Sequence, residues 1–162
     1  MKKEIYAGAL LLSTMAGAAQ AQSCENAWSF GLDGGFEGNV PEAYSPCGAA
    51  HSVGVLCIGP ALMVRYTPPQ GALAADPNGG EYWPITMTVG DFTYTDHVNF
   101  MGATGEFSFL RVAWDSSHPL FEALQSGASI EVSMPSFNLN GSVSLSGSRA
   151  AISQVIDACQ GN

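Results

Sequence analysis

The sequence predicts a mainly β fold, an antiparallel β-sandwich or flattened barrel, with a short helix near 118–126 and a C-terminal helix near 148–159. Three observations carry this expectation. Short runs place an apolar residue at every second position, the period of a strand with one buried face. Gly and Pro cluster between those runs, where turns are needed. The helical period of 3.6 recurs only around Leu120–Leu124 and Ile152–Cys159.

Taken in order, Ala27 to Leu32 carries Trp28, Phe30 and Leu32 in strict alternation and reads as the first strand. Gly34, Gly35, Gly38, Pro41, Pro46 and Gly48 then mark a long irregular connection over 33–50. Ser52 to Ile58 and Ala61 to Tyr66 read as a hairpin around Gly59-Pro60. A second long loop covers 67–83, after which Ile85, Met87 and Val89 resume the alternation. Gly90-Asp91 sits where a tight hairpin turn belongs, and Phe92, Tyr94, Val98 and Phe100 continue the apolar face, with Asp96 the one misfit on that parity. Glu106 to Trp114 is apolar on both parities, as in a strand covered on both sides. Pro119 opens a helix carrying Leu120, Phe121 and Leu124, with His118 as its cap and Gly127 as its stop. Ile130, Val132 and Met134 form one more strand, and Phe137, Leu139, Val143 and Leu145 the closing one. Gly147 breaks that period. Ser148 then reads as the cap of a helix whose stripe is Ile152, Val155, Ile156 and Cys159.

The first residues read as a leader. Lys2 and Lys3 precede an apolar stretch from Ile5 to Met15, and Ala19-Gln20-Ala21 matches the small-x-small pattern of signal-peptidase cleavage. The expectation is a signal peptide over 1–21 and one mature domain over 22–162, periplasmic or secreted. Ser23-Cys24 lacks the aliphatic residue that a lipobox carries three places before its cysteine. No later stretch approaches the roughly 20 apolar residues of a membrane span.

Charge narrows the partners. Removing Lys2, Lys3 and Glu4 leaves Arg65, Arg111 and Arg149 against thirteen of the 14 acidic residues, which moves the net charge from −9 to about −10. A chain without lysine builds no polybasic face, so nucleic acid and anionic membranes are disfavoured partners. Four cysteines in an exported chain allow three disulfide connectivities. Cys57 shares strand parity with Val53 and Val55, and Cys159 lies on the apolar helical stripe, so both face the core. That favours Cys57–Cys159 and leaves Cys24–Cys47.

Catalytic patterns are weak. No serine in Gly141 to Gly147 has glycines two places away on both sides, so the segment is no nucleophile elbow. Asp96 and His97 are adjacent and on a strand point to opposite faces, which prevents joint chelation. Calcium has two thin candidates, the run Asp76, Asn78 and Glu81 and the run Asp33, Glu37 and Asn39; both are equally ordinary turn chemistry. No catalytic residue and no cofactor is nominated. The recognition candidates are loop residues instead: Asp33 and Glu37 for their charge, and Tyr44, Tyr82 and Trp83 as rings that can stack on a sugar or insert into a protein partner.

A family resemblance appears at the C-terminus. The run His118-Pro-Leu-Phe-Glu-Ala-Leu-Gln-Ser-Gly127, then Ser129-Ile-Glu-Val132, then Ser144-Leu-Ser-Gly-Ser148-Arg-Ala-Ala-Ile152 resembles the C-terminal half of invasion-associated locus B-like proteins, exported β-rich proteins of Gram-negative bacteria, mostly alphaproteobacteria. This chain departs from them at Ser148, where an aromatic residue usually follows the motif glycine, and in having no cysteine pair between 85 and 115. The resemblance implies a link to host or envelope interaction and brings no catalytic residues. The resulting expectation is an exported, non-enzymatic binding protein that presents the 33–50 and 67–83 loops. The alternatives are an inhibitor of a cationic enzyme such as lysozyme, suited to an acidic loop, and a periplasmic hydrolase.

Overall fold

In the computed structural model, residues 27–33, 40–45, 50–69, 71–73, 81–101, 106–110 and 116–161 are described. The expected leader, Cys24, Glu37, Cys47, Asp76 and Asn78 lie outside them. The strands are β1 (Ser29–Asp33), β2 (Val40–Tyr44), β3 (Ser52–Ile58), β4 (Ala61–Thr67), β5 (Tyr82–Val89), β6 (Phe92–Met101), β7 (Glu106–Leu110), β8 (Ser129–Met134) and β9 (Leu139–Ser144). The helices are α1 (Pro119–Ser126) and α2 (Ser148–Gln160).

These strands pair antiparallel in the order β1-β2-β3-β4-β7-β6-β5-β8-β9. Register decides which residues share a face, because directly opposed residues point to the same side. Ala43 opposes Val55, Val55 opposes Val64, Ile85 opposes Asp96, Met87 opposes both Tyr94 and Val132, and Ile130 opposes Val143. One face of the ladder is therefore mainly apolar among the described side chains, with Asp96 its exception, and its buried residues form a single cluster with Leu120, Phe121, Leu124, Ile152 and Val155 of the helices. Glu42, Leu56 and Met63 are buried on the opposite face of β2, β3 and β4. A single sheet can bury one face in this way only by folding over. His51, just before β3, rests on Gly141 of β9 at the far end of the ladder. The Trp28 amide donates to the Ser146 carbonyl at 2.8 Å and its indole Nε1 to the Ser144 carbonyl at 2.7 Å. Edge strands β1 and β9 meet there without pairing, so the fold is consistent with a β-sandwich and not with a closed barrel.

Helix α2 packs on β1, β2 and β3, and α1 packs on α2. The Cys57–Cys159 disulfide fastens the last turn of α2 to β3, with 5.6 Å between Cα atoms, as the shared inward parity of the two residues leads one to expect. Cys24–Cys47 falls outside the described residues.

Three local expectations are corrected. Residues 33–50 are not one loop, because β2 lies within them. Pro41 and the surrounding glycines gave it the look of a loop; Pro41 sits in the strand between β1 and β3 all the same, and Glu42 is held by Arg65 across the intervening strand. Phe137 does not start the closing strand: Pro135–Phe137 form a single 3-10 turn and Asn138 takes a left-handed conformation at φ 52° before β9 begins. Ser148 does not cap α2. Gly147 occupies the cap position at φ 84°, and the Ser148 hydroxyl donates to the Leu124 carbonyl of α1 at 2.6 Å. The expected cap of α1 is present, with His118 Nδ1 accepting from the Leu120 amide at 3.2 Å.

Candidate functional site

The loop-borne aromatics turn out to be strand residues on opposite faces. β5 begins at Tyr82, and the two-residue period sends Tyr82 outward, opposite Asn99, and Trp83 inward, opposite Val98. Trp83 packs edge-on against Phe137 with ring centroids 4.8 Å apart, and its indole Nε1 is buried without a hydrogen-bond partner. Tyr82 is 67% exposed, one of two large hydrophobic residues standing in solvent among the described residues. The other is Leu32, on β1.

Tyr44 lies on β2, half-buried, with its ring across Gly31. β3, β4, β7 and β6 separate it from β5, so Tyr44 and Tyr82 do not form one patch. Asp33 ends β1 opposite Val40. Glu81 is exposed immediately before β5; the rest of its proposed calcium loop lies outside the described residues. Among the described residues there is no group of three or more His, Cys, Asp and Glu side chains placed to hold a metal ion.

Tyr82 belongs to a polar outer face that runs across β6, β5, β8 and β9. Thr86 opposes Thr95 on one side and Ser133 on the other, and Ser133 opposes Asn140. One step along, Thr88 opposes Thr93 and Glu131, and Glu131 opposes Ser142. The side chains are linked within each row: Thr86 to Thr95 at 3.2 Å, Thr88 to Thr93 at 3.4 Å, Ser133 to Asn140 at 2.9 Å and Ser142 to Glu131 at 2.6 Å. The signal was present as Thr86-Met-Thr88 and Thr93-Tyr-Thr95 flanking the Gly90-Asp91 turn. Glu131 is the only residue among these with a formal charge at neutral pH.

Elsewhere the polar groups serve the scaffold. His51 Nδ1 and the Tyr66 hydroxyl lie 2.6 Å apart with their rings stacked, and the imidazole fills the space over Gly141 where a Cβ would collide. Burial pushes the Tyr66 phenol up to about 12. Glu42, almost fully buried, pairs with Arg65, and its carboxylate covers Gly54 closely enough to leave no room for a Cβ. Asp96, the misfit of β6, accepts a hydrogen bond from Tyr94 at 2.6 Å, and the Tyr94 ring meets His118 edge-on. His118 caps α1, and His97 is exposed on the outer face of β6. Among the described residues, none of the three histidines hydrogen-bonds a serine or an acidic side chain. An open groove of about 420 Å³ lies between the β5–β6 turn and α1, with Val89, Phe92, Pro119, Glu122 and Ala123 in its walls.

No protein-family profile and no curated protein sequence matches the chain. Among solved structures, the fold is similar to the crystal structure of invasion associated protein B from Bartonella henselae, with a TM-score of 0.53 at 15% identity. The match covers 83% of this chain and 97% of that one. The distant resemblance first visible in the C-terminal residues thus extends, as shared fold, over most of the chain.

Proposed function

We propose that this chain is an exported, non-enzymatic binding protein that meets its partner at the cell envelope or a host surface, with the outer sheet face around Tyr82 as the point of contact. The observation that carries this reading is Tyr82 itself, 67% exposed at the first position of β5 and paired there with β6. A large ring held in water by a paired strand is a poor use of apolar surface unless something covers it, and such rings anchor interfaces at small conformational cost. Export is supported by the basic, apolar and small-residue pattern of residues 1–21 and by the Cys57–Cys159 bond, since disulfides persist in oxidising compartments. The direction toward envelope or host contact is supported by the shared fold with a protein named invasion associated protein B.

The test is capture from envelope and host-cell extracts on immobilised protein, wild type beside Tyr82→Ala. Retention of a discrete partner by the wild type and its loss in the variant is the expected result. Equal retention by both would remove Tyr82 from the site, and turnover of an ester or glycan panel by the purified protein would overturn the non-enzymatic reading.

A further inference from the structure

We infer that the outer face of β6, β5, β8 and β9 is a binding site for a neutral glycan, with the Tyr82 ring as its stacking platform; this rests on the reading of that face as the contact surface. Charge selects the ligand class. The protein carries a net charge of −9, so an anionic partner is repelled as it approaches. Within the paired rows a cationic partner finds only Glu131, already engaged by Ser142, and beside Tyr82 the single carboxylate of Glu81 immediately before β5. What the face offers is hydroxyl and amide groups, each able to donate or accept, which matches an uncharged polyol.

Geometry points the same way. From Tyr82 to Thr88 the outward side chains of β5 span roughly 20 Å at about 3.4 Å per residue, the length of a short oligosaccharide. Asn99 stands opposite Tyr82 and His97 opposite Pro84, so polar groups flank the ring on the neighbouring strand. The Thr86–Thr95 and Thr88–Thr93 pairs hold their rotamers by contact with each other, which lowers the entropy lost when a ligand orders them. Tyr82, Asn99 and His97 make no hydrogen bond to any described side chain, leaving their polar atoms available to sugar hydroxyls.

The experiment titrates the full protein with maltohexaose, cellohexaose and chitohexaose, following backbone amide shifts by NMR, with heparin as the anionic control. At least one neutral hexaose is expected to shift amides of β5 and β6, with Tyr82→Ala weakening it by about tenfold or more and Tyr82→Phe by little, since the ring and not its hydroxyl carries the stacking. Thr95→Lys, an exposed substitution on the same face, should also weaken the complex. If no neutral hexaose binds while Tyr82→Ala still abolishes capture of a protein from extracts, the glycan assignment is wrong and the contact surface stands. If neither depends on Tyr82, both are wrong. Binding of heparin in preference to the neutral hexaoses would also overturn the assignment.

Discussion

Tyr66 of β4 holds His51, the residue that reaches Gly141 of β9, and makes stability depend on pH. Its ring is fully buried and its hydroxyl meets His51 at 2.6 Å. Desolvation pushes its ionisation from 10.0 up to about 12 in the folded protein. The unfolded chain therefore loses this proton first as pH rises. The stabilising contribution is complete below pH 10 and disappears between 10 and about 12, a change of about 2–3 kcal/mol at 1.36 kcal/mol per unit. Urea unfolding of wild type and Tyr66→Phe from pH 9 upward should show the stability difference moving in favour of the phenylalanine variant across that window; a constant difference would contradict the assignment. The partner side of the same contact is Gly141. Gly141→Ala should cost about 1–3 kcal/mol by driving a methyl into the imidazole, and clearly less in a His51→Ala background, which a double-mutant cycle measures. None of this was legible in the sequence. The alternation placed Gly141 on the inward face of its strand, but which distant residue fills the missing side chain is decided by how the sheet folds over. Asp96 was legible as a misfit, and its explanation, a hydrogen bond from Tyr94 two residues away on the same face, was within reach of the sequence.

At the scale of elements, periodicity located β3, β4, β5, β6, β8 and both helices, because each has an unambiguous apolar stripe and a Gly or Pro stop. It failed at β2. A proline and a glutamate in a five-residue strand erase the signal, and the compensation, Arg65 on β4, is a tertiary fact. It also misread Ser148, since a serine before an apolar helical run is the ordinary N-cap pattern. The structure turns that serine into a link between helices, donating to the Leu124 carbonyl at 2.6 Å. The two roles separate cleanly by substitution. Aspartate is a good N-cap but has no proton to give at neutral pH, so Ser148→Asp would preserve stability if residue 148 capped α2. With the donor role, Ser148→Ala should cost about 1–2 kcal/mol, and Ser148→Asp more, because it sets a carboxylate against a carbonyl in a buried site. Chemical denaturation of the three proteins decides the matter, and an aspartate variant as stable as wild type would return Ser148 to the cap.

For the whole molecule, an apolar inward face and antiparallel class followed from the alternation, while strand order and the burial of Leu56 and Met63 on the other face did not. Nothing in the individual strands says that β4 pairs with β7 or that β5 pairs with β8, because local periodicity fixes which face is buried and leaves the neighbour open. The one long-range constraint that could be read was Cys57–Cys159, since an inward strand position and an apolar helical stripe both ended in sulfur. That bond spans 102 residues and encloses β4 to β9, with β1, β2 and nearly all of β3 lying before it. In the chain-entropy account, a loop of this length restricts the unfolded state by up to about 4–5 kcal/mol, and strain or residual structure reduces the measured figure. The paired substitution Cys57→Ser/Cys159→Ser, compared with wild type by urea unfolding with and without reductant, should lose at least about 2 kcal/mol, and reductant should bring the wild type close to the variant. The loss should fall first on α2. This helix packs its buried face on β1, β2 and β3, its C-terminal turn is the part the disulfide fastens, and helix ends without such a tie fray most readily. Amide exchange in Val155–Gln160 should therefore accelerate on reduction well before exchange in β5 and β6. Uniform acceleration throughout would mean that the bond acts only on the unfolded chain, whereas no acceleration and no loss of stability would leave the helix held by packing alone.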